Sequence, residues 1–273
     1  MTDLKGKVAV VTGASRGLGQ RAAIRLAEQG ATLVLVARSD AALETTARRI
    51  REKGGLAEVV SADLSDPSSL DAVVAAATRA GAPSILVNAA GVYGPLELIK
   101  DSEPSEWIGT LMVNMVSHYL TCRAFVGGMI DSGWGRIVNV TSANALHPPG
   151  PLHSAYGTSK AALNHFTRHL AAEVNGTGVT ANVIHPGDVK TEMWADIRTK
   201  AQRLGAPAEP FLRWADWVEK TGGDDPEKAA DLILNLMSDE AASVNGQFLW
   251  IKDGLQAPIP SWSVGADSLP WQK

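Results

Sequence analysis

Tyr156 and Lys160 are four residues apart in the run Tyr-Gly-Thr-Ser-Lys, a spacing that puts both side chains on one face of a helix. A free phenol ionises near pH ~10, so about one part in a thousand is phenolate at neutral pH. An ammonium fixed nearby favours the phenolate. The pair therefore reads as a proton donor and acceptor for the oxygen of a carbonyl or hydroxyl. Ser142 closes the apolar run Gly135–Thr141, 14 residues before Tyr156, where its hydroxyl can hydrogen-bond the same oxygen. A second chemistry lies near the N-terminus, in Thr12-Gly13-Ala14-Ser15-Arg16-Gly17-Leu18-Gly19. Gly13, Gly17 and Gly19 permit a tight turn and close backbone approach to a pyrophosphate, and the helix that follows turns its positive end toward it. The next strand ends in Ala37-Arg38 rather than in the acid that would hold a ribose 2′-OH. Arg38, with Arg16 as a second charge, suits a 2′-phosphate, so NADP(H) is expected over NAD(H).

Such residues need a scaffold, and the chain alternates between β-branched runs and helical periodicity. Strands are expected at Lys7–Val11, Thr32–Ala37, Ala57–Ser61, Ser84–Asn88, Gly135–Thr141, Val179–His185 and Gly246–Ile251. Helical segments fall at Gly17–Gln29, Ala41–Lys53, from Asp66-Pro67 onward, at about Pro104–Asp131, and at Ala155–Val174 and Asp225–Met237. Strands alternating with helices predict an α/β fold with a parallel sheet covered on both faces. The least regular stretches are about Asp188–Gly223 and Leu255–Lys273.

The chain resembles the short-chain dehydrogenases/reductases over about residues 4–254. The motifs carrying the resemblance are TGASRGLG at 12–19, Ala62-Asp63-Leu64, NAAG at 88–91, Asn114, Ser142, YGTSK at 156–160 and PGDVKT at 186–191. The resemblance implies a single Rossmann-like, doubly wound, parallel seven-stranded sheet with helices on both faces. It implies one dinucleotide-binding and catalytic domain (1–254) with a substrate lid at about 188–223, followed by a C-terminal extension (255–273). It assigns catalysis to Asn114, Ser142, Tyr156 and Lys160, with the main chain of Asn114 supporting a relay water and Lys160 also holding the nicotinamide ribose. It places Gly13, Ser15, Arg16, Gly17, Leu18, Gly19 and Arg38 at the cofactor's phosphates, and Asp63 and Leu64 near adenine. Asn88, Ala89, Ala90 and Gly91 line the cofactor side of the fourth strand. Pro186, Gly187, Val189 and Thr191 meet the nicotinamide end. Tyr93, Asn144, Leu152, Met193 and Trp194 are the substrate-side candidates. The implied reaction interconverts a carbonyl and a secondary alcohol in a small, apolar or aromatic substrate. A 3-oxoacyl (acyl-carrier-protein) reductase is the alternative, and a non-catalytic NADP(H) sensor or scaffold a minor one. A homodimer or homotetramer is expected.

Ser142 and Tyr156 are separated by one residue more than is common in that family, and the loop holds Pro148, Pro149 and Pro151. This should reshape one pocket wall. His147 and His153 are read as ordinary loop histidines, because the tyrosine already supplies the proton. His165 and His169 are i, i+4 on a helix with no third ligand evident, and no metal is expected. The lid carries Met193, Trp194, Leu204, Phe211, Leu212, Trp214 and Trp217, either as an aromatic pocket wall or as anchors for the lid helices.

Composition bounds the rest. The chain has 273 residues with a net charge of −4. The balance is mixed and carries no basic stripe, which argues against nucleic acid. Cys122 is the only cysteine, so no intrachain disulfide is possible. No apolar run reaches the length of a membrane span, no signal peptide is seen, and a cytoplasmic location is expected. Trp (8) outnumbers Tyr (3) plus Phe (4), and six of the eight lie in the last 80 residues: Trp194, Trp214, Trp217, Trp250, Trp262 and Trp271. Trp262 and Trp271 are expected to anchor the extension on the body or on a neighbouring subunit.

Overall fold

The computed structural model describes residues 2–147 and 149–251. The expected extension 255–273, with Trp262 and Trp271, lies outside the described residues.

Seven strands form one parallel sheet: β1 (Val8–Thr12), β2 (Thr32–Ala37), β3 (Leu56–Ser61), β4 (Pro83–Asn88), β5 (Gly135–Val140), β6 (Val179–His185) and β7 (Phe248–Trp250), in the order β3-β2-β1-β4-β5-β6-β7. β1 is buried on both faces, as its continuous apolar sequence requires. Its side chains alternate between two cores. Ala9 and Val11 join Leu26 of α1 (Gly17–Glu28), Leu43 and Ile50 of α2 (Asp40–Arg51) and Ile233 of α9 (Pro226–Asn235). Val8 and Val10 join Val73 and Ala77 of α3 (Leu70–Ala80), Phe125 and Met129 of α5 (Ser117–Asp131) and Leu170 of α6 (Ser154–Glu173). Each fully buried Val, Leu or Ile contributes about 1.5–3 kcal/mol, so the sheet is the most firmly held part of the molecule.

After β3 the chain crosses to the far side of β1 to make β4, so the winding reverses between β1 and β4. The carboxyl ends of strands at such a reversal are where an open α/β sheet leaves a crevice. Thr12, Gly13 and Asn88–Gly91 border it.

Two expectations change. The helix at about 104–131 is interrupted: α4 (Pro104–Leu111) passes through a π-helical turn at Met112–Val116 before α5 begins. The extra residue in that turn aims Asn114 inward. The stretch 188–223, read as irregular, consists mostly of helices α7 (Glu192–Leu204) and α8 (Glu209–Thr221). Thr191 caps α7 by accepting from Trp194 N–H at 3.3 Å, and Pro210 sits in the first turn of α8. Those start signals are local, and the strong charge of both helices obscured their apolar stripes.

Candidate active site

The glycine turn is shaped by backbone contact. Gly13 has φ +66°, and a Cβ there would stand 2.8 Å from Ala89 C and O and Ala90 N. A Cβ on Gly19 would collide with the Gly13 carbonyl. Thr12 Oγ1 accepts from Ala90 N–H at 3.1 Å, and the Ala14 carbonyl accepts from Thr46 Oγ1 at 3.0 Å. The turn is thus locked between β4 and α2. Helix α1 begins with no side-chain cap and no acidic residue in its first turn. Its first N–H groups and positive end therefore suit an anion. Leu18 is half-buried behind them, and the Ser15 carbonyl is held by Gln20 Nε2 at 3.3 Å.

The two arginines differ in setting. Arg38 is exposed at the end of β2, and its carbonyl accepts from Ser61 Oγ at 2.9 Å. Arg16 forms an exposed ion pair with Glu192, the first residue of α7, so it ties the glycine turn to the lid. Hydrogen bonds from Ser65 hold the Asp63 carboxyl below its ordinary value; burial opposes them and the Arg38 charge adds to them. Leu64 packs on the core behind it.

Asn88 lies fully inside. Its amide donates to Asn139 Oδ1 at 2.9 Å and its carbonyl oxygen accepts from Thr121 Oγ1 at 2.9 Å, which joins β4 to β5 and α5. Its side chain is thus occupied in holding the strand ends, which leaves the neighbouring Ala89, Ala90 and Gly91 as the cofactor-side candidates. A Cβ on Gly91 would stand 3.4 Å from Asn114 Oδ1 and 3.7 Å from Lys160 Nζ, so the β4 end and the catalytic candidates meet there.

Asn114 is fully buried. Its side chain both accepts from Val92 N–H and donates to the Val92 carbonyl, each at 2.8 Å, and donates to Ser159 Oγ at 3.0 Å. Its main-chain carbonyl pairs with His118 Nδ1 at 2.6 Å. Burial, with the Lys160 charge adding, pushes the His118 imidazole down to about 3, so the ring is neutral and Nδ1–H donates.

Tyr156 and Lys160 share the inner face of α6, as their spacing predicts. Lys160 Nζ donates to the Val140 carbonyl at 2.8 Å and lies 5.8 Å from the centre of the Tyr156 ring. Burial raises the Tyr156 phenol above its ordinary value; a hydrogen bond from Ser142 opposes this and the Asp188 carboxylate adds to it. Burial also pulls Lys160 down to about 7. The expected pull of the ammonium on the phenol is therefore outweighed by desolvation of both groups. Ser142 accepts from Asn144 N–H at 3.2 Å, which leaves its hydroxyl hydrogen free to donate toward Tyr156. On the far side of the same turn, Ala143 N–H donates to His185 Nδ1 at 3.2 Å.

An aromatic cluster covers the phenol. Tyr93 stacks on Tyr156 with ring centres 4.5 Å apart, and Phe211 of α8 meets Tyr93 edge-on at 6.5 Å. Leu152, Met193, Leu212 and Trp214 pack around them. Leu152 has φ +75°, a left-handed backbone unusual for a branched residue, and its carbonyl accepts from Glu97 N–H at 2.7 Å. The proline-rich loop with its extra residue ends in this strained corner.

Two readings need correction. Trp194 does not face this cluster: it is buried between the lid helices with Ala215 and Val218, and its Nε1–H donates to the Ala215 carbonyl at 3.3 Å. The β-region entry to α7 sends that side chain toward α8, so it is an anchor within the lid. His153 is not an ordinary loop histidine: it is buried, pairs with the Pro151 carbonyl and the Asn144 side chain at 2.9 Å each, and meets Phe211 edge-on at 5.3 Å. Its place three residues before Tyr156, at the mouth of α6, was the available signal. Trp214 and Trp217 share a face of α8 but divide in role. Trp214 Nε1–H donates to Asp188 Oδ1 at 3.1 Å, whereas Trp217 is exposed.

The nicotinamide-side candidates form the base of the lid. Gly187 has φ +84°, and Val189 pairs with Gly223 in an antiparallel bridge. Asp188 N–H donates to Asp224 Oδ2 at 2.7 Å, and Asp224 N–H returns to the Asp188 carbonyl at 2.9 Å. Pro186 precedes this clasp and Thr191 follows it as the α7 cap. Lys200 Nζ donates to the Gly94 carbonyl at 3.1 Å and pins α7 near Tyr93.

The family model for short chain dehydrogenase matches residues 7–202. A short-chain type dehydrogenase/reductase of Picea abies is 35% identical over 261 residues, covering 92% of this chain and 93% of the relative. Among solved structures, an NAD+-bound xylitol dehydrogenase superposes with TM-score 0.82 at 27% identity, covering 92% of this chain and 99% of that one. A variant of the actinorhodin polyketide ketoreductase with NADPH gives TM-score 0.82 at 30% identity, covering 92% and 97%.

Proposed function

This chain belongs to the short-chain dehydrogenase family, whose members are oxidoreductases that bind a nicotinamide cofactor, and from that premise we propose that it moves a hydride between NADP(H) and the carbonyl or secondary alcohol of a small, apolar or aromatic substrate. The observation that carries the reading is the buried Tyr156 phenol, hydrogen-bonded by Ser142 and walled by Tyr93, Leu152, Met193 and Phe211. The uncapped start of α1 and the close approach of Gly13 to Ala89 fit a dinucleotide pyrophosphate. A bound nicotinamide would supply or accept the hydride. Tyr156 gives its proton to the carbonyl oxygen in reduction and takes the hydroxyl proton in oxidation, while Ser142 holds that oxygen. Lys160 restores the proton from the inner side, and the buried Asn114 fixes Val92 and the start of α5 beside it.

In this reading Arg38 and Arg16 meet the 2′-phosphate, Arg16 exchanging Glu192 for it. Asp63 and Leu64 border adenine. Ala89, Ala90 and Gly91 face the cofactor, as do Pro186, Gly187, Val189 and Thr191. The solved structures that resemble this chain include one with NAD+ and one with NADPH, so the preference for NADP(H) rests on this chain's own Arg38 and on the missing acid. A likeness to a 3-oxoacyl (acyl-carrier-protein) reductase of Vibrio cholerae, 31% identical over 255 residues, supports a second reading, reduction of a carrier-linked 3-oxoacyl group. The closed aromatic cover favours a free small molecule. A homodimer or homotetramer is proposed on exposed Ile108 of α4 and Tyr119 and Ile130 of α5, and light scattering of a monomer at micromolar concentration would contradict it. Among the described residues no helix is long and apolar enough to cross a membrane.

The test is turnover on a panel of ketones, alcohols and a 3-oxoacyl thioester, with NADPH/NADP+ and NADH/NAD+ side by side. Turnover of aromatic ketones with NADPH at least tenfold faster than with NADH is expected. Arg38→Asp should narrow or invert that ratio, because a charge-assisted hydrogen bond contributes about 1.5–3 kcal/mol. NADPH binding without turnover of any carbonyl would show a sensor instead.

A further inference from the structure

We propose that His153 is a positioning residue that couples the lid to the catalytic serine through Asn144. The inference rests on the assignment of Ser142 and Tyr156 given above. Four contacts make a continuous chain. Phe211 of α8 packs edge-on against the His153 ring, 5.3 Å between centres at 79°. His153 pairs with the Asn144 side chain at 2.9 Å. Asn144 N–H donates to Ser142 Oγ at 3.2 Å. Ser142 in turn hydrogen-bonds Tyr156.

Chemistry fixes one end of this chain. The Pro151 carbonyl can only accept, so the His153 nitrogen 2.9 Å from it, Nδ1, carries the hydrogen. Nε2 stands 2.9 Å from Asn144 Oδ1, and this pair closes with a hydrogen from either partner, the two ends of the amide being interchangeable by a half-turn. Both ring nitrogens are satisfied only with the ring in one orientation. The ring is buried, and Gly157 leaves room for it: a Cβ there would stand 3.8 Å from His153 Cδ2 and 3.9 Å from Asn144 Oδ1. Asn144 is therefore held at both ends, by its main-chain N–H on Ser142 and its side chain on His153. Because Asn144 N–H occupies the Ser142 oxygen as acceptor, the serine hydrogen is directed outward, to the phenol or the reacting oxygen. Turning Asn144 removes that direction.

The lid enters through Phe211, which touches both His153 and the Tyr93 ring that covers Tyr156. Closing α8 on the pocket thus sets the serine as it covers the substrate. The charged and titratable groups facing Tyr156 are Tyr93 from the β4–α4 connection, Lys160 on its own helix and Asp188 after β6. The substitutions below leave all three in place.

The experiment compares His153→Phe, His153→Gln and His153→Asn in the full-length protein, with aromatic ketone and alcohol as substrates. Phe keeps the ring against Phe211 and removes both hydrogen bonds. Gln can reach Asn144 but not Pro151, and Asn the reverse. Expected is a tenfold or greater loss of kcat in His153→Phe with NADPH affinity unchanged. The acidic limb of its alcohol-oxidation profile, along which Tyr156 gives up its proton, should move to higher pH, because the phenolate loses a donor. His153→Gln should recover most of both and His153→Asn neither. Wild-type kcat and an unmoved limb in His153→Phe overturn the proposal. So does equal behaviour of Gln and Asn, which would mark a packing role alone; a melting curve on each variant excludes loss of folded protein as the cause. If Ser142→Ala and Tyr156→Phe also retain turnover, it is the assignment of the active site that has failed.

Discussion

Around Gly13 the main chains of two strand ends touch: a side chain of even one carbon would stand 2.8 Å from the Ala89 carbonyl. On α8, by contrast, Glu219 reaches Lys190 and Arg198 across half-exposed ion pairs, and side chains connect the lid to the body: a few rings, Lys200 on Gly94 and Arg16 on Glu192. The first region is held by backbone contact and buried strands, the second by side-chain contacts, buried at Trp194, Ala215 and Val218 and half-exposed at Glu219. Chemistry that must be placed to a fraction of an ångström sits on the first. On the proposed reading, choice of substrate, which tolerates repacking, sits on the second.

If that contrast is right, substitutions on the two sides should differ in size and in kind. The largest effect falls on Tyr156: Tyr156→Phe should cost about 10²–10⁴ in kcat/KM while leaving NADPH binding intact, as expected for loss of a general acid–base group. Binding and single-turnover measurements would separate the two effects. Gly13→Ala comes next. The left-handed backbone alone costs about 1–2 kcal/mol, and displacement of Ala89 adds to it. Reduced melting temperature together with weakened cofactor affinity is the expected result, and wild-type affinity would show the contact to be slack.

The pH profile follows. Lys160, lowered to about 7 by burial, is charged below that pH and neutral above it. Reduction draws a proton from the Tyr156–Lys160 pair, so its kcat/KM should be flat in acid and fall toward tenfold per unit above about 7, while oxidation rises over the same range. The apparent value belongs to the pair. Rate profiles in both directions check the sign. On the lid, Phe211→Ala should raise KM for aromatic ketones about tenfold with little change for the smallest substrates; a change independent of substrate size would argue against a pocket wall. Smallest of all, Arg198→Ala removes half-exposed pairs with Glu219 and Asp216 and should shift stability by about 1 kcal/mol or less.

The same contrast explains what could be read in advance. β2 and β6 fall where their apolar runs place them, because a strand buried on both faces has few other uses for such a run. Tyr156, Lys160 and Ser142 meet because helix spacing and a strand end fix them from local sequence. The π-turn at Met112–Val116 was hidden, since one extra residue per turn leaves the apolar pattern nearly unchanged. Asn88 gave no sign of facing inward, for its partners Asn139 and Thr121 are distant in sequence. The packing of Trp194 on Ala215 and of His153 on Phe211 was hidden for the same reason: those partners come from α8, whose place against the body no local pattern records. The net rise of the Tyr156 phenol likewise depends on burial by Tyr93 and Phe211, which only the folded chain reveals.

The clasp between Asp188 and Asp224 has an evolutionary consequence. It brings the two ends of the α7–α8 excursion side by side, through Val189 and Gly223, before the chain rejoins the sheet at α9. A segment whose ends already meet can be lengthened, shortened or exchanged without changing the distance the scaffold must span. Loop closure then adds only about 0.6 kcal/mol for each doubling of length. The fold thereby carries a docking point for interchangeable modules, at which new specificity can be tried by insertion or recombination while the reaction centre is inherited whole.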